Sequence, residues 1–264
     1  MRNGTLSGDT EHRDAGAGLR VFGDIFVINL KSRPDRRRAM AAELAAIGLG
    51  PQDVTWFDAV RPEDPGGFES IGARGCFLSQ LGVLRAAQER GAQGVLILED
   101  DVAFAPGFGP RVAAITRDLA ATEWDMFYGG GVAAQTQRHS AALVRIDREV
   151  PIQLAHCVAV RGGAISRVAA YLEAQLGRPP GDPAGGPMHV DGSYSWARRE
   201  LGLATFMSDP ELCYQRPSRS SIYEKKRWRS SALGAQVADR LFAVKSAAKK
   251  GLKTLRHATR TVRR

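Results

Sequence analysis

A chain of 264 residues, 44% apolar and 25% charged, can bury one sizeable core, which predicts a single α/β domain with tails and, with no run of eighteen apolar residues, excludes a membrane-spanning helix. Three cysteines, Cys76, Cys157 and Cys213, are odd in number and lack any Cys-x-x-Cys spacing, which argues against disulfides and a cysteine zinc site and predicts a reducing, cytoplasmic compartment. The net charge of +9 is uneven: Lys225 to Arg264 holds 13 Lys or Arg and one acid, Asp239, for +12, leaving the preceding 224 residues at −3.

Residues 1–22, rich in Gly, Asp and Arg and without an apolar central region, read as a disordered leader and not as a secretory signal. Asp24-Ile-Phe-Val-Ile-Asn29-Leu30 then predicts a buried first strand. Lys31 to Asp35 breaks it and starts a helix, with Ser32 able to cap and Pro34 and Asp35 suited to the first turn. Met40, Leu44 and Ile47 give that helix its inner face, and Gly48 ends it. Arg33, Arg36 and Arg37 at a helix N-terminus make a place where phosphate can rest. Arg37 and Arg38 read equally well as solvated outer-face arginines, since consecutive helical residues cannot share a face.

Val54 to Val60 is a second strand, followed by a Pro/Gly loop from Arg61 to Gly67. Gly75-Cys76 opens a helix to about Arg90, carrying Phe77, Leu78, Leu81, Leu84 and Ala87 inward and closed by Gly91. Next comes the central stretch of the chain, Gly94-Val-Leu-Ile-Leu98, a continuous apolar run that fits a strand buried on both faces. It stops at Glu99-Asp100-Asp101. Three adjacent acids at a strand's C-terminal end repel one another unless a cation sits among them, and oxygen ligands of this kind suit Mg²⁺ or Mn²⁺; the competing reading is a solvated acidic loop. A helix near Phe108 to Ala121 and a short strand, Trp124 to Tyr128, follow, and strands alternating with helices at this spacing mean an open α/β sheet.

In the second half, Leu154 to Val160 reads as a strand and Ala164 to Leu176 as a helix. The Pro/Gly loop Arg178 to Pro187 has the composition of a lid. His189-Val190-Asp191 precedes a helical pattern from Tyr194 to Leu201. Beyond Glu224, Leu233, Val237, Leu241, Val244, Ala248, Leu252 and Leu255 recur at steps of three or four between basic residues, a basic amphipathic helix. Such a helix suits an anionic membrane surface through residues 230–264; a nucleic acid, a protein groove or plain packing are the alternatives, and the acidic body and scarce aromatics argue against nucleic acid.

Four blocks in order resemble glycosyltransferase family 25, the bacterial lipooligosaccharide galactosyltransferases and their collagen-modifying relatives. They are Val27-Ile28-Asn29-Leu30 with Arg33, Asp35 and Arg36; Gly75-Cys76 with Ser79; Leu96 to Asp101; and His189-Val190-Asp191 followed by Gln215 and Ser220-Ser221. Gln80 departs from the pattern, standing where the family usually has His, and Gln cannot ionise near neutral pH.

The resemblance implies a GT-A-like open mixed sheet flanked by helices, a Rossmann-like nucleotide-sugar-binding domain over residues 23–222, with the basic tail at 223–264. It implies transfer of a hexose, galactose or glucose, from a UDP-sugar to a saccharide or glycolipid acceptor of lipopolysaccharide or another surface glycan, with inversion, at the inner face of the cytoplasmic membrane. Mn²⁺ or Mg²⁺ would be held by Asp101 and Glu99, two apart and therefore on one face of a strand, with Asp100 turned toward ribose or sugar hydroxyls. Asn29, Leu30 and Arg33 would flank the nucleotide, and Asp191 would be the general base, or else the N-cap of the helix after it. His189 reads as an ordinary loop histidine sooner than a further metal ligand. A degenerate, membrane-associated binding protein of the same fold and a metal-dependent phosphatase or nucleotidyltransferase are the other readings.

Overall fold

The structure, a computed structural model, describes residues 15–216; the basic amphipathic helix expected after Glu224 lies outside them. The elements in chain order are β1 (Asp24–Asn29), α1 (Pro34–Ala46), β2 (Thr55–Asp58), α2 (Ile71–Glu89), β3 (Gly94–Glu99), β4 (Val102–Phe104), α3 (Phe108–Ala120), β5 (Met126–Tyr128), β6 (Val132–Ala133), β7 (Gln137–Arg138), β8 (Leu143–Ile146), β9 (Ile152–Gln153), β10 (Cys157–Arg161), α4 (Ala164–Leu176), α5 (Val190–Leu201), β11 (Thr205–Ser208) and β12 (Cys213–Gln215). Eight strands form one mixed sheet in the order β2-β1-β3-β10-β5-β11-β8-β7, and β12 pairs with β4, and β6 with β9, in two small ribbons.

Alternation along the central strands sorts the core into two layers. Phe26, Ile28, Val95 and Ile97 pack on one face against α2, α4 and α5, including Phe77, Leu84, Val168 and Tyr194. Ile25, Val27, Leu96 and Leu98 pack on the other against α1 and α3, including Met40, Leu44, Val112 and Ile115. Both faces of β3 are therefore covered, which is why its sequence is apolar at every position from Gly94 to Leu98. No helix among the described residues is long and apolar enough to cross a membrane.

Several boundaries differ from the sequence reading. Residues 15–22, expected within a disordered leader, are helical, and Leu19 and Phe22 are buried beside α3 because they fill the second core layer. α2 begins at Ile71, four residues early, because Ser70 caps it by accepting the Ala73 N–H at 3.1 Å. α5 begins at Val190, so Asp191 lies inside its first turn. The 178–187 loop is tied down: Ala184 O accepts bonds from Tyr171 Oη at 2.9 Å and Arg178 at 2.6 Å. Strands β6 to β9, of two to four residues each, had no periodic signal to betray them.

Candidate active site

β1 and β3 run parallel, with Ile28 opposite Glu99, so their C-terminal ends lie side by side at one edge of the sheet. β3 ends at Glu99, and Asp100-Asp101 form the turn into β4, so the expectation that Glu99 and Asp101 share a strand face does not hold. Their carboxylates are brought near one another by the turn instead. Burial, and then the charge of Asp101, push the Glu99 carboxyl up to about 7. Glu99 lies on the α2 side, where Gln80 Nε2 donates to its Oε1 at 3.3 Å and the Cys76 thiol donates to the same oxygen at 3.4 Å.

Asp100 is neutralised within the protein. Asn29 Nδ2 donates to its Oδ2 at 2.7 Å and Arg36 to its Oδ1 at 2.8 Å, so it does not extend outward toward a ribose as expected. Arg36 also stands 3.7 Å from Asp101, which accepts from Gln215 Nε2 at 3.3 Å. The next residue, Arg216, closes the turn from above: its N–H meets Asp101 O at 2.7 Å and its guanidinium meets Asp100 O at 2.9 Å.

The predicted residues thus divide. Glu99, Asp100, Asp101 and Asn29 converge, and Leu30 follows directly on the Asn29 strand end. Arg33 does not reach the acids. Its guanidinium is captured by Asp35 at 2.9 and 2.7 Å, pulling that carboxyl down to about 2, and Arg36, one turn on, takes the position beside the turn. Asp191 is no N-cap: His189 holds that position without a side-chain bond, while Asp191 accepts the N–H of Leu154 at 3.1 Å and of Gly192 at 2.8 Å. His189 pairs with Glu69 at 2.8 Å on the surface, as an ordinary loop histidine does.

The sequence reading missed how one loop gathers these groups. Leu154 N–H binds Asp191, Ala155 O accepts Gln80 Nε2 at 3.1 Å, and His156 O accepts the Glu99 N–H at 2.9 Å. Leu154 takes a φ of 73° to do so, the one positive φ outside glycine among the described residues. The His156 ring is buried near Asp101, and burial holds its imidazole below the ordinary histidine range. Backbone partners such as Ala155 leave no sequence signal.

A sequence model of glycosyltransferase family 25 (LPS biosynthesis protein) matches residues 22–149, from β1 through the acidic turn to the residues just after β8. Over these residues the chain is similar to this family. Inactive glycosyltransferase 25 family member 3 of Homo sapiens is 31% identical over 140 residues, 46% of this chain and 24% of that protein. Procollagen galactosyltransferase 1 of Danio rerio is 24% identical over 219 residues, 73% of this chain and 36% of that protein. The chain therefore spans between about a quarter and about a third of the length of these two curated relatives. Among solved structures, the mannose-1-phosphate geranyltransferase of Thermus thermophilus is similar at a TM-score of 0.36 and 11% identity, over 70% of this chain and 72% of that one.

Among the described residues no group of three or more His, Cys, Asp or Glu is arranged to hold a metal ion. The oxygen donors of Glu99, at the end of β3, and of Asp101, in the turn that follows it, are of the kind that suits a hard cation such as Mg²⁺ or Mn²⁺.

Proposed function

We propose that this chain transfers a hexose, galactose or glucose, from a UDP-sugar to a saccharide acceptor of lipopolysaccharide, lipooligosaccharide or another surface glycan, with inversion, in a GT-A-like site. The observation that carries the reading is the Glu99-Asp100-Asp101 turn at the C-terminal edge of the sheet in a chain similar to family 25. The galactosyltransferase name of the Danio rerio relative supports galactose as the sugar.

Asn29, Leu30 and Arg33 flank the nucleotide at the end of β1 and the start of α1. Asn29 and Arg36 hold Asp100, and Gln215 and Arg216 hold the turn from β12, so Asp101 is fixed in place before the donor arrives. Glu99 and Asp101 are the ligands for Mn²⁺ or Mg²⁺, which when bound supplies Lewis-acid neutralisation of the departing diphosphate. Asp191 accepts the proton of the acceptor hydroxyl. The basic residues 230–264 keep the body at the inner, anionic face of the cytoplasmic membrane, where a lipid-linked acceptor is found by search in two dimensions.

A second reading has its own observation. The Homo sapiens relative is named as inactive, and Gln80 fills the position where the resemblance expects His, so the fold can persist as a binding protein without turnover. Thermal unfolding with UDP-galactose or UDP-glucose, with and without Mn²⁺, separates the two. Metal-dependent stabilisation with sugar turnover, and an Asp101→Asn variant slowed by about 10² or more, is the expected result for the transferase. Stabilisation without turnover supports the binding protein, and wild-type turnover by Asp101→Asn at saturating Mn²⁺ ends the metal-ligand assignment.

A further inference from the structure

We infer that Tyr194 and Gln80 are positioning residues that hold Glu99 with one oxygen reserved for the divalent cation. Both side chains are completely buried, Gln80 on α2 and Tyr194 on α5, 114 residues apart in sequence. Tyr194 Oη donates to Gln80 Oε1 at 2.8 Å, which fixes the orientation of the amide, since an oxygen facing a hydroxyl donor leaves the NH₂ group on the other side. That NH₂ group then donates to Ala155 O at 3.1 Å and to Glu99 Oε1 at 3.3 Å. With the amide reversed, its oxygen would face a carbonyl and a carboxylate, and Tyr194 would lose its acceptor.

The Cys76 thiol donates to the same Glu99 Oε1 at 3.4 Å, so both donors converge on one oxygen. Among the described residues nothing is hydrogen-bonded to Oε2. Together the two donors pin the rotation of the Glu99 carboxylate about its last side-chain torsion. An amide does this at any pH, because it neither gains nor loses a proton near neutrality. Tyr194 touches no substrate or reacting atom in this scheme and acts through Gln80, as an outer partner orients a ligand.

The inference rests on the proposal that Glu99 and Asp101 hold the cation, and the test separates the two. Mn²⁺ is titrated calorimetrically into the full chain, with saturating UDP present, for the unaltered protein, Tyr194→Phe, Gln80→Met and the double variant, with thermal unfolding of each in chelator. Tyr194→Phe removes one oxygen and should weaken Mn²⁺ affinity by about 10-fold or more, in line with losses of outer-shell partners. The double variant should be no weaker than the worse single variant, because the two residues act in series. A role confined to core packing predicts a lowered unfolding temperature in chelator with Mn²⁺ affinity unchanged. Wild-type Mn²⁺ affinity in Tyr194→Phe overturns the inference even if Gln80→Met does not fold. Failure of the unaltered chain to bind Mn²⁺ overturns the metal assignment itself, and the inference with it.

Discussion

Asp191 shows how one carboxylate can be tether and candidate base together. Both of its oxygens accept backbone N–H groups, from Leu154 at 3.1 Å and Gly192 at 2.8 Å, so the main chain itself orients the side chain. Asp191→Asn keeps the shape but has one acceptor oxygen for two donors, and should cost about 1 kcal/mol of stability. If Asp191 takes the acceptor proton, the same change lowers turnover by about 10² or more while the donor KM stays nearly constant, because the base acts only in the transition state. Steady-state kinetics with varied donor, alongside thermal unfolding, checks both parts. Near-normal turnover in a slightly destabilised variant would leave Asp191 as the tether of the 154–156 loop and place the base elsewhere. Asp191 is a candidate through the His189-Val190-Asp191 block of the resemblance, but its bonding was not legible, since Leu154 is 37 residues away and contributes only its backbone. The pairing of Arg33 with Asp35, two residues on, is a local contact of the opposite kind.

At the scale of elements, the acidic turn depends on β12 being held where Gln215 and Arg216 can reach it, and that placement passes through Gly129 at the end of β5. Gly129 N–H binds Cys157 O at 3.0 Å, and its carbonyl accepts Leu212 N–H at 2.8 Å and Ser208 Oγ at 2.6 Å, joining β10, β11 and the residue before β12. A Cβ there would stand 2.5 Å from Cys157 Sγ and 2.8 Å from Cys213 Sγ, both buried thiols. Gly129→Ala should therefore cost about 1–3 kcal/mol through overpacking, read as a fall in unfolding temperature. Adding Cys157→Ala vacates the space and should recover part of that loss. Full stability in Gly129→Ala alone would show that β12 is not wedged in this way. The glycine run after Tyr128 marked a turn in the sequence, but nothing local to it announced two sulfur atoms arriving from β10 and β12.

For the whole molecule, the decisive asymmetry is one of charge. A body near −3 and a tail of +12 after Glu224 predict that deleting residues 230–264 releases the protein from anionic vesicles while preserving transfer to a soluble acceptor fragment. Raising salt should weaken vesicle binding by the full chain without abolishing it, because screening acts on the Lys and Arg residues and leaves the stripe of Leu233, Val237, Leu241 and Val244 untouched. Co-sedimentation of full-length and shortened protein at two salt concentrations measures both effects. Equal sedimentation of the shortened protein would assign the tail to packing or to a protein partner.

By itself the sequence determined the alternation of strands and helices, the double-sided burial of Gly94 to Leu98, the acids at the end of that strand and the uneven charge, because each is written in the spacing of near neighbours. It also carried the family resemblance, which resides in short blocks in a fixed order. Only the tertiary structure decided which groups meet. The hydrogen bond from Tyr194 to Gln80 needs α5 to pack beside α2, the approach of Arg36 to Asp100 needs α1 to dock over the end of β3, and the grip of Arg216 on the turn needs β12 to pair with β4. Such contacts arise from long-range packing and from competition among partners for each donor, and neither quantity has a period along the chain.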